Sequence, residues 1–257
     1  MDNIPTMLQI TLYLLVFLYG IVIGSFINVL TIRIPRKENF IKTRSHCDSC
    51  GYELKWYDLI PIVSYLSLGG KCRKCKAKIS ASHLYMEVLS GILYVIVFFV
   101  AGFSIDSILI CLLSSALLAL SVIDFKTYEI PVGFQWVILV LAIARTGLDY
   151  KNWLNHVIGF FAVSLFLYLL YMVSKGAAIG GGDVKLMAVC GLFLGWKLVL
   201  FAFLAGCVVG SIIHIIRMKL SGESHVLAMG PYLSIGVFVA ALWGDRILSW
   251  YLGILGI

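Results

Sequence analysis

The chain has 257 residues, is 61% hydrophobic and only 13% charged, and carries a formal net charge of +7. At a mean hydropathy of +1.00, that much apolar surface is more than a soluble domain of this length can hide, which excludes a soluble enzyme and indicates a polytopic membrane protein. Nucleic acid is not the partner the basic balance suggests: residues 31–85 hold eleven Lys/Arg against four acids, the whole net charge, and the other 202 residues carry nine of each.

The first apolar run, Met7–Leu30, is too long for the core of a signal peptide, and its basic residues follow rather than precede it. It is expected to be the first transmembrane helix, with residues 1–30 as one domain. Residues 31–85 form a basic, soluble insert. The positive-inside rule places it in the cytoplasm and the N-terminus outside, with the lipid bilayer, including its anionic headgroups, as a partner. The insert carries Cys47-x-x-Cys50 and Cys72-x-x-Cys75, separated by 21 residues. Two such knuckles can place four thiolates tetrahedrally around Zn²⁺, a closed structural site. Gly51-Tyr52 and Lys76-Ala77 after the knuckles suit tight turns, and the surrounding lysines and arginines offset the charge of a four-thiolate centre. Two disulfides are the alternative, but they need an oxidising compartment; a redox CxxC lacks its βαβ context. His46 and His83 flank the cluster and read as solvated surface residues.

The remaining residues, 86–257, are expected to form a helical membrane core. The expected spans are Tyr85–Gly102, Ser107–Ile123, Ile130–Arg145, Trp153–Val173, Val184–Trp196, Leu198–Ile216 and Val226–Trp243, with the tail from Arg246 either extending the last span or lying at the interface. The fold class is therefore all-α, about eight transmembrane helices with a small cytoplasmic zinc-ribbon-like insert between the first and second. Alternation puts the loops 124–129, 174–183 and 217–225 inside. Residues 184–216 are split at Gly195-Trp196-Lys197. The first piece then spans about 20 Å at ~1.5 Å per residue, less than a ~30 Å bilayer core. Gly20-x-x-x-Gly24, Gly191-x-x-x-Gly195 and Gly206-x-x-x-Gly210 are read as close helix-packing faces. Cys111, Cys190 and Cys207 read as small core residues, and Glu87 and Asp106 as interfacial.

Two carboxylates stand out because ionisable groups at membrane depth are costly. Asp124 ends the apolar run from Ser114 to Ile123, before a short turn to Pro131. Asp183 follows Gly180-Gly181-Gly182 and is expected to cap the next helix, where the backbone dipole favours an anion. The glycines leave room for an extended substrate backbone and permit unusual φ. Topology sets both aspartates at cytoplasmic helix ends. Two facing carboxylates cannot both ionise cheaply, so one keeps a proton. Such a pair can act as an aspartyl protease, one member activating water and the other polarising the scissile carbonyl. Glu129, five residues beyond Asp124, is a weaker rival for the second acid.

These motifs in this order resemble the type IV prepilin peptidases, membrane aspartyl proteases of the Gly-x-Gly-Asp class. The resemblance rests on Gly24-Ser25-Phe26-Ile27-Asn28-Val29 through Arg33-Ile34-Pro35, on the two knuckles with Trp56–Leu66 and Gly70-Lys71-Cys72-Arg73 between them, and on Ile79-Ser80 and Glu87. It continues in Gly180-Gly181-Gly182-Asp183-Val184-Lys185 and Gly230-Pro231-Tyr232. It implies that Asp124 and Asp183 are catalytic, that Gly180, Gly181, Gly182 and Lys185 meet the substrate, and that Cys47, Cys50, Cys72 and Cys75 bind zinc. It further implies a multi-pass protein of the bacterial inner membrane that cleaves prepilin or pseudopilin precursors at the cytoplasmic face. In many members the same protein then methylates the new N-terminal amine with S-adenosylmethionine. No Rossmann-type glycine loop is present, so that site is expected near the insert and the 24–35 segment. Val132 stands where the family often has Asp or Asn, and Asp48 where Pro is frequent; neither departure touches Asp124. The rival readings are an ion-coupled transporter using the two carboxylates, which leaves the insert without a role, a protease lacking methyltransferase activity, and a non-catalytic membrane scaffold.

Overall fold

The structure, a computed structural model, describes residues 6–39, 41–221, 227–254 and 256. The N-terminus, the loop residues 222–225, the expected start of the last span at Val226, and residues 255 and 257 of the tail lie outside the described residues. The chain divides into two compact units, Met1–Phe103 and Ser104–Ile257.

In the first unit, α1 (Thr6–Arg33) packs on α3 (Ser82–Ala101). Both are apolar around most of their circumference, so close approach rather than hydrophobic patterning selects the contact face. A Cβ on Gly20 would lie 2.7 Å from the Gly91 Cα, and one on Gly24 2.9 Å from the Glu87 Cα. Asn28, Thr31 and Arg33 continue the buried stripe toward the insert. Arg33 donates to the carbonyls of Thr43 at 2.7 Å, Arg44 at 3.2 Å and Asn39 at 3.4 Å, which ties the start of the insert to the helix end. Between the helices lie a 3-10 turn at Trp56–Asp58 and the short α2 (Val63–Ser67). Isolated bridges His46–Glu53 and Lys71–Lys78 close the two knuckles; the described residues contain no longer strand pairing.

The second unit is built around α8 (Gly181–Leu194), which packs against α5 (Val132–Leu148), α6 (Trp153–Ala162), α7 (Ser164–Ser174), α9 (Trp196–Ser221) and α10 (Gly230–Ile254). Eight of its fourteen residues are buried. Helix α4 (Ile105–Thr127) packs on α5 and α10; Ser107, Ser114, Ser115, Ala116 and Ala119 on its buried side allow close neighbours. The Ser104 side chain caps α4 by accepting the Ser107 N–H at 3.1 Å.

Helix α8 ends where the sequence split it. Gly195 has φ +84, a conformation other residues avoid, and the Asn155 amide stands 2.5 Å from where its Cβ would be. All three Gly-x-x-x-Gly pairs are helix contacts: Gly191 meets the backbone of Gly159, and Gly206 and Gly210 meet Tyr232 and Leu233.

The architecture is all-α and multi-pass, and each expected span falls on a helix. Among the described residues, six helical segments are long and apolar enough to cross a membrane: Thr6–Arg33, Ser82–Ala101, Ile105–Thr127, Tyr150–Ser174, Trp196–Leu220 and Gly230–Ile254. Helices α5 and α8 are shorter, 17 and 14 residues, and α8 is largely buried among its neighbours from Leu186 onward. The expected span Trp153–Val173 lies within one of these segments, Tyr150–Ser174, with a turn at Val163 between α6 and α7. The last helix runs past Arg246 to Ile254, so the described tail extends it.

Candidate active site and metal centre

In the second unit the fold brings Asp124 and Asp183 close enough for their charges to repel. Asp124 lies in the last turn of α4 and is 4% exposed. The turn is closed by Tyr128, whose left-handed backbone (φ 56) donates its N–H to the Asp124 carbonyl at 2.8 Å. An anion at a helix C-terminus is disfavoured by the dipole. Here it is offset by the start of α10, where the Gly230 N–H donates to Asp124 Oδ2 at 2.9 Å. A Cβ on Gly230 would sit 2.7 Å from that oxygen, so the bond needs glycine. Lys126, two residues on in the same helix, makes no ion pair with it among the described residues.

Asp183 does not cap α8 as expected. Gly180 is the cap residue, and Asp183 is the third residue of the first turn, with its carboxylate reaching back to the Gly180 backbone, half of a capping box. Asp183 Oδ1 is buried and has no hydrogen-bond partner among the described residues. Nor do the glycines need unusual φ. None of Gly180, Gly181 and Gly182 has positive φ; they provide space. A Cβ on Gly180 would meet Asp183 Oδ2 at 3.2 Å and one on Gly182 would meet Ile130 at 3.1 Å, whereas at Gly181 the nearest atom, on Tyr171, is 3.7 Å away. Gln135 on α5, 5% exposed, donates to the Gly182 carbonyl at 3.2 Å and fixes the turn. Lys185 is exposed one half-turn on, and Glu129 is exposed in the α4–α5 turn.

In the first unit the four knuckle cysteines converge, their sulfurs all within 4.8 Å of one another. The Cys47–Cys75 and Cys50–Cys72 separations are 3.8 and 4.0 Å. A tetrahedron with metal–sulfur bonds of ~2.3 Å has edges of about 3.8 Å, so the donor set fits zinc; a disulfide would need ~2.05 Å. The knuckles repeat one geometry. Gly51 N–H bonds the Cys47 carbonyl and Lys76 N–H the Cys72 carbonyl, at 2.9 and 3.0 Å, with Gly51 and Lys76 both in the left-handed region. The Cys75 backbone N–H beside Cys72 draws its thiol down to about 6 despite burial. Cys50 is drawn down by the Tyr52 N–H, yet burial and three neighbouring thiols push it up to about 11. A divalent cation removes that mutual repulsion.

A cavity of about 480 Å³ lies beside the cluster in the same unit, lined by Asn28, Arg33, Asp58, His83 and Glu87 among others, within the size range of cofactor sites. Two sequence readings fail here. Glu87 is 8% exposed rather than interfacial, because α1 covers it at Gly24. His83 is no free surface residue; its ring Nδ1 bonds the buried Asn28 amide. Neither Gln135 nor the Gly230 N–H was identifiable as a site group from sequence. Gly230-Pro231-Tyr232 entered the sequence reading only as a motif of the family resemblance.

Fold and site together define a multi-pass helical membrane protein with two carboxylates brought together at the ends of α4 and α8. The profile described as Bacterial Peptidase A24 N-terminal domain matches residues 18–101, and that described as Type IV leader peptidase family matches residues 111–215. The chain is 31% identical to the prepilin leader peptidase/N-methyltransferase of Pseudomonas aeruginosa, with 93% of each chain covered. It is 32% identical to that of Aeromonas salmonicida, again over 93% of each, and 29% identical to that of Legionella pneumophila, over 94% of this chain and 95% of the other. The chain belongs to the type IV leader peptidase family. No solved structure matches it.

Proposed function

We propose that this protein is a membrane aspartyl endopeptidase that removes the leader from type IV prepilin or pseudopilin precursors and then N-methylates the new N-terminus. The observation that carries the peptidase reading is the asymmetric carboxylate pair: Asp124 held by a main-chain N–H, Asp183 with a buried oxygen that has no donor. The pair titrates as a unit. Asp124, with a donor at a helix N-terminus, takes the base role and removes a proton from the attacking water. Asp183 presents the shared proton to the scissile carbonyl; as the tetrahedral intermediate collapses, Asp124 passes the proton taken from water to the leaving amine and Asp183 recovers its own. Gly181 leaves the substrate backbone its approach, and Lys185 lies on the exposed side of the same turn.

The four cysteines hold a structural Zn²⁺ that fixes the fold of the insert, with no open position for chemistry. S-adenosylmethionine, which supplies the methyl group when bound, is assigned to the cavity between the insert and the 24–35 segment. The positive-inside bias supports a bacterial inner-membrane protein with the insert and both aspartates on the cytoplasmic side and the N-terminus outside.

Co-expression with a prepilin, followed by precursor size, tests the dyad. Asp124→Asn and Asp183→Asn should each abolish processing, and Glu129→Gln should leave it intact. Processing that survives both Asn substitutions would refute the assignment.

A further inference from the structure

The cavity of the first unit holds one buried carboxylate that pairs with no cation among the described residues. Two of its lining acids are buried, Asp58 and Glu87. Asp58 is fully engaged: Arg73 Nε lies 2.8 Å from Oδ1, and the Lys55 N–H donates to Oδ2 at 3.2 Å. The buried guanidinium on the cavity wall, Arg33, is occupied by the three carbonyls at the start of the insert. Glu87 accepts only the Ile62 N–H, at 2.8 Å through Oε2, and no described cation pairs with it. Around it stand the Asn28 amide, 6% exposed, and the His83 ring to which that amide is bonded.

A buried carboxylate without a cation is costly. Packing does not explain its retention, because a glutamine would fill the same volume and still accept the Ile62 N–H. We propose that Glu87 is the counter-ion for an organic cation bound in this cavity. Methyl transfer to an amine draws on two species that bind as cations, the sulfonium of the methyl donor and the ammonium of the cleaved substrate's N-terminus, which sheds a proton before its nitrogen attacks the methyl and displaces the neutral thioether, and Glu87 holds one of them. Asn28 and His83 line the same wall and position the ligand's polar atoms. This rests on the N-methyltransferase reading and is independent of the aspartate pair.

The test measures binding to the purified full-length chain, so its failure and a failure of the peptidase assignment are separable. One arm compares S-adenosylmethionine with its uncharged thioether, S-adenosylhomocysteine. The other compares a peptide of the mature pilin N-terminus with its N-acetylated form. The parent protein should favour the charged member in one arm by about 10- to 100-fold, the range for a charge-assisted contact. Glu87→Gln should bring that ratio close to one, and Glu87→Asp should restore part of it. The arm that responds identifies the cation. No charge preference in either arm, or a preference that the Gln variant keeps, overturns the proposal. If the Gln variant does not fold, carbodiimide labelling of the parent protein decides: the charged ligand should shield Glu87 and its uncharged counterpart should not, and equal labelling with both overturns the proposal.

Discussion

Replacing Gly230 with alanine tests the site geometry without touching a carboxylate. The added methyl would stand 2.7 Å from Asp124 Oδ2, 3.0 Å from Cγ and 3.2 Å from Cβ, where ordinary contact begins at 3.4 Å. The carboxylate must therefore retreat by several tenths of an ångström, away from the N–H that now holds it at 2.9 Å. A hydrogen bond to a charged group is worth about 1.5–3 kcal/mol, so its loss in the transition state lowers kcat/KM by about 10- to 150-fold. Displacement of the carboxylate relative to Asp183 adds to this. Leader cleavage by the purified protein in proteoliposomes measures the effect, alongside thermal unfolding. Gly133→Ala is the control: it lies in the first turn of α5 and its new methyl meets nothing within 4 Å. A Gly230→Ala protein that cleaves within about threefold of the parent would show that the Gly230–Asp124 contact does not hold the catalytic geometry.

At the far end of α8, Arg145 donates to the Phe193 carbonyl at 3.2 Å and pairs with Asp106 at 2.8 Å. Arg145→Met should destabilise the second unit by about 1–2 kcal/mol, discounted for the partly exposed Asp106; an unchanged Tm would contradict it. Gly191→Ala would force a methyl to within 2.1 Å of the Gly159 carbonyl oxygen, and should cost about 3 kcal/mol or more by separating α6 from α8, read as lost thermal stability in detergent. Metal analysis of the purified chain should give one zinc per molecule. Cys47→Ser, Cys50→Ser, Cys72→Ser and Cys75→Ser together should remove it and expose the insert to protease, whereas equal zinc in that variant would assign the metal elsewhere.

The elements of the core were readable in proportion to their dependence on local chemistry. The knuckles follow from thiol spacing and turn residues, and the break at Gly195 from a glycine between two apolar runs. Helix α8 was harder, because its residues look like a lipid-facing span while eight of its fourteen are buried inside protein. The capping role given to Asp183 failed for a related reason. A carboxylate after three glycines signals a helix start, but which residue caps it depends on where the chain turns, and Ile130 and Gln135 from another helix fix that turn.

By itself the sequence determined a multi-pass helical protein, a four-thiolate cluster in a basic insert, and two aspartates at helix ends, because composition, spacing and hydropathy are properties of short stretches. Only the tertiary structure decided which main-chain N–H holds Asp124, which oxygen of Asp183 is left without a donor, and that Glu87 is buried without a counter-ion. The contacts at Asp124 and Glu87 join residues 106 and 25 positions apart, and the physical reason they form is packing between helices and turns distant in sequence: a Gly-x-x-x-Gly pair marks a face that packs closely but not which element it meets.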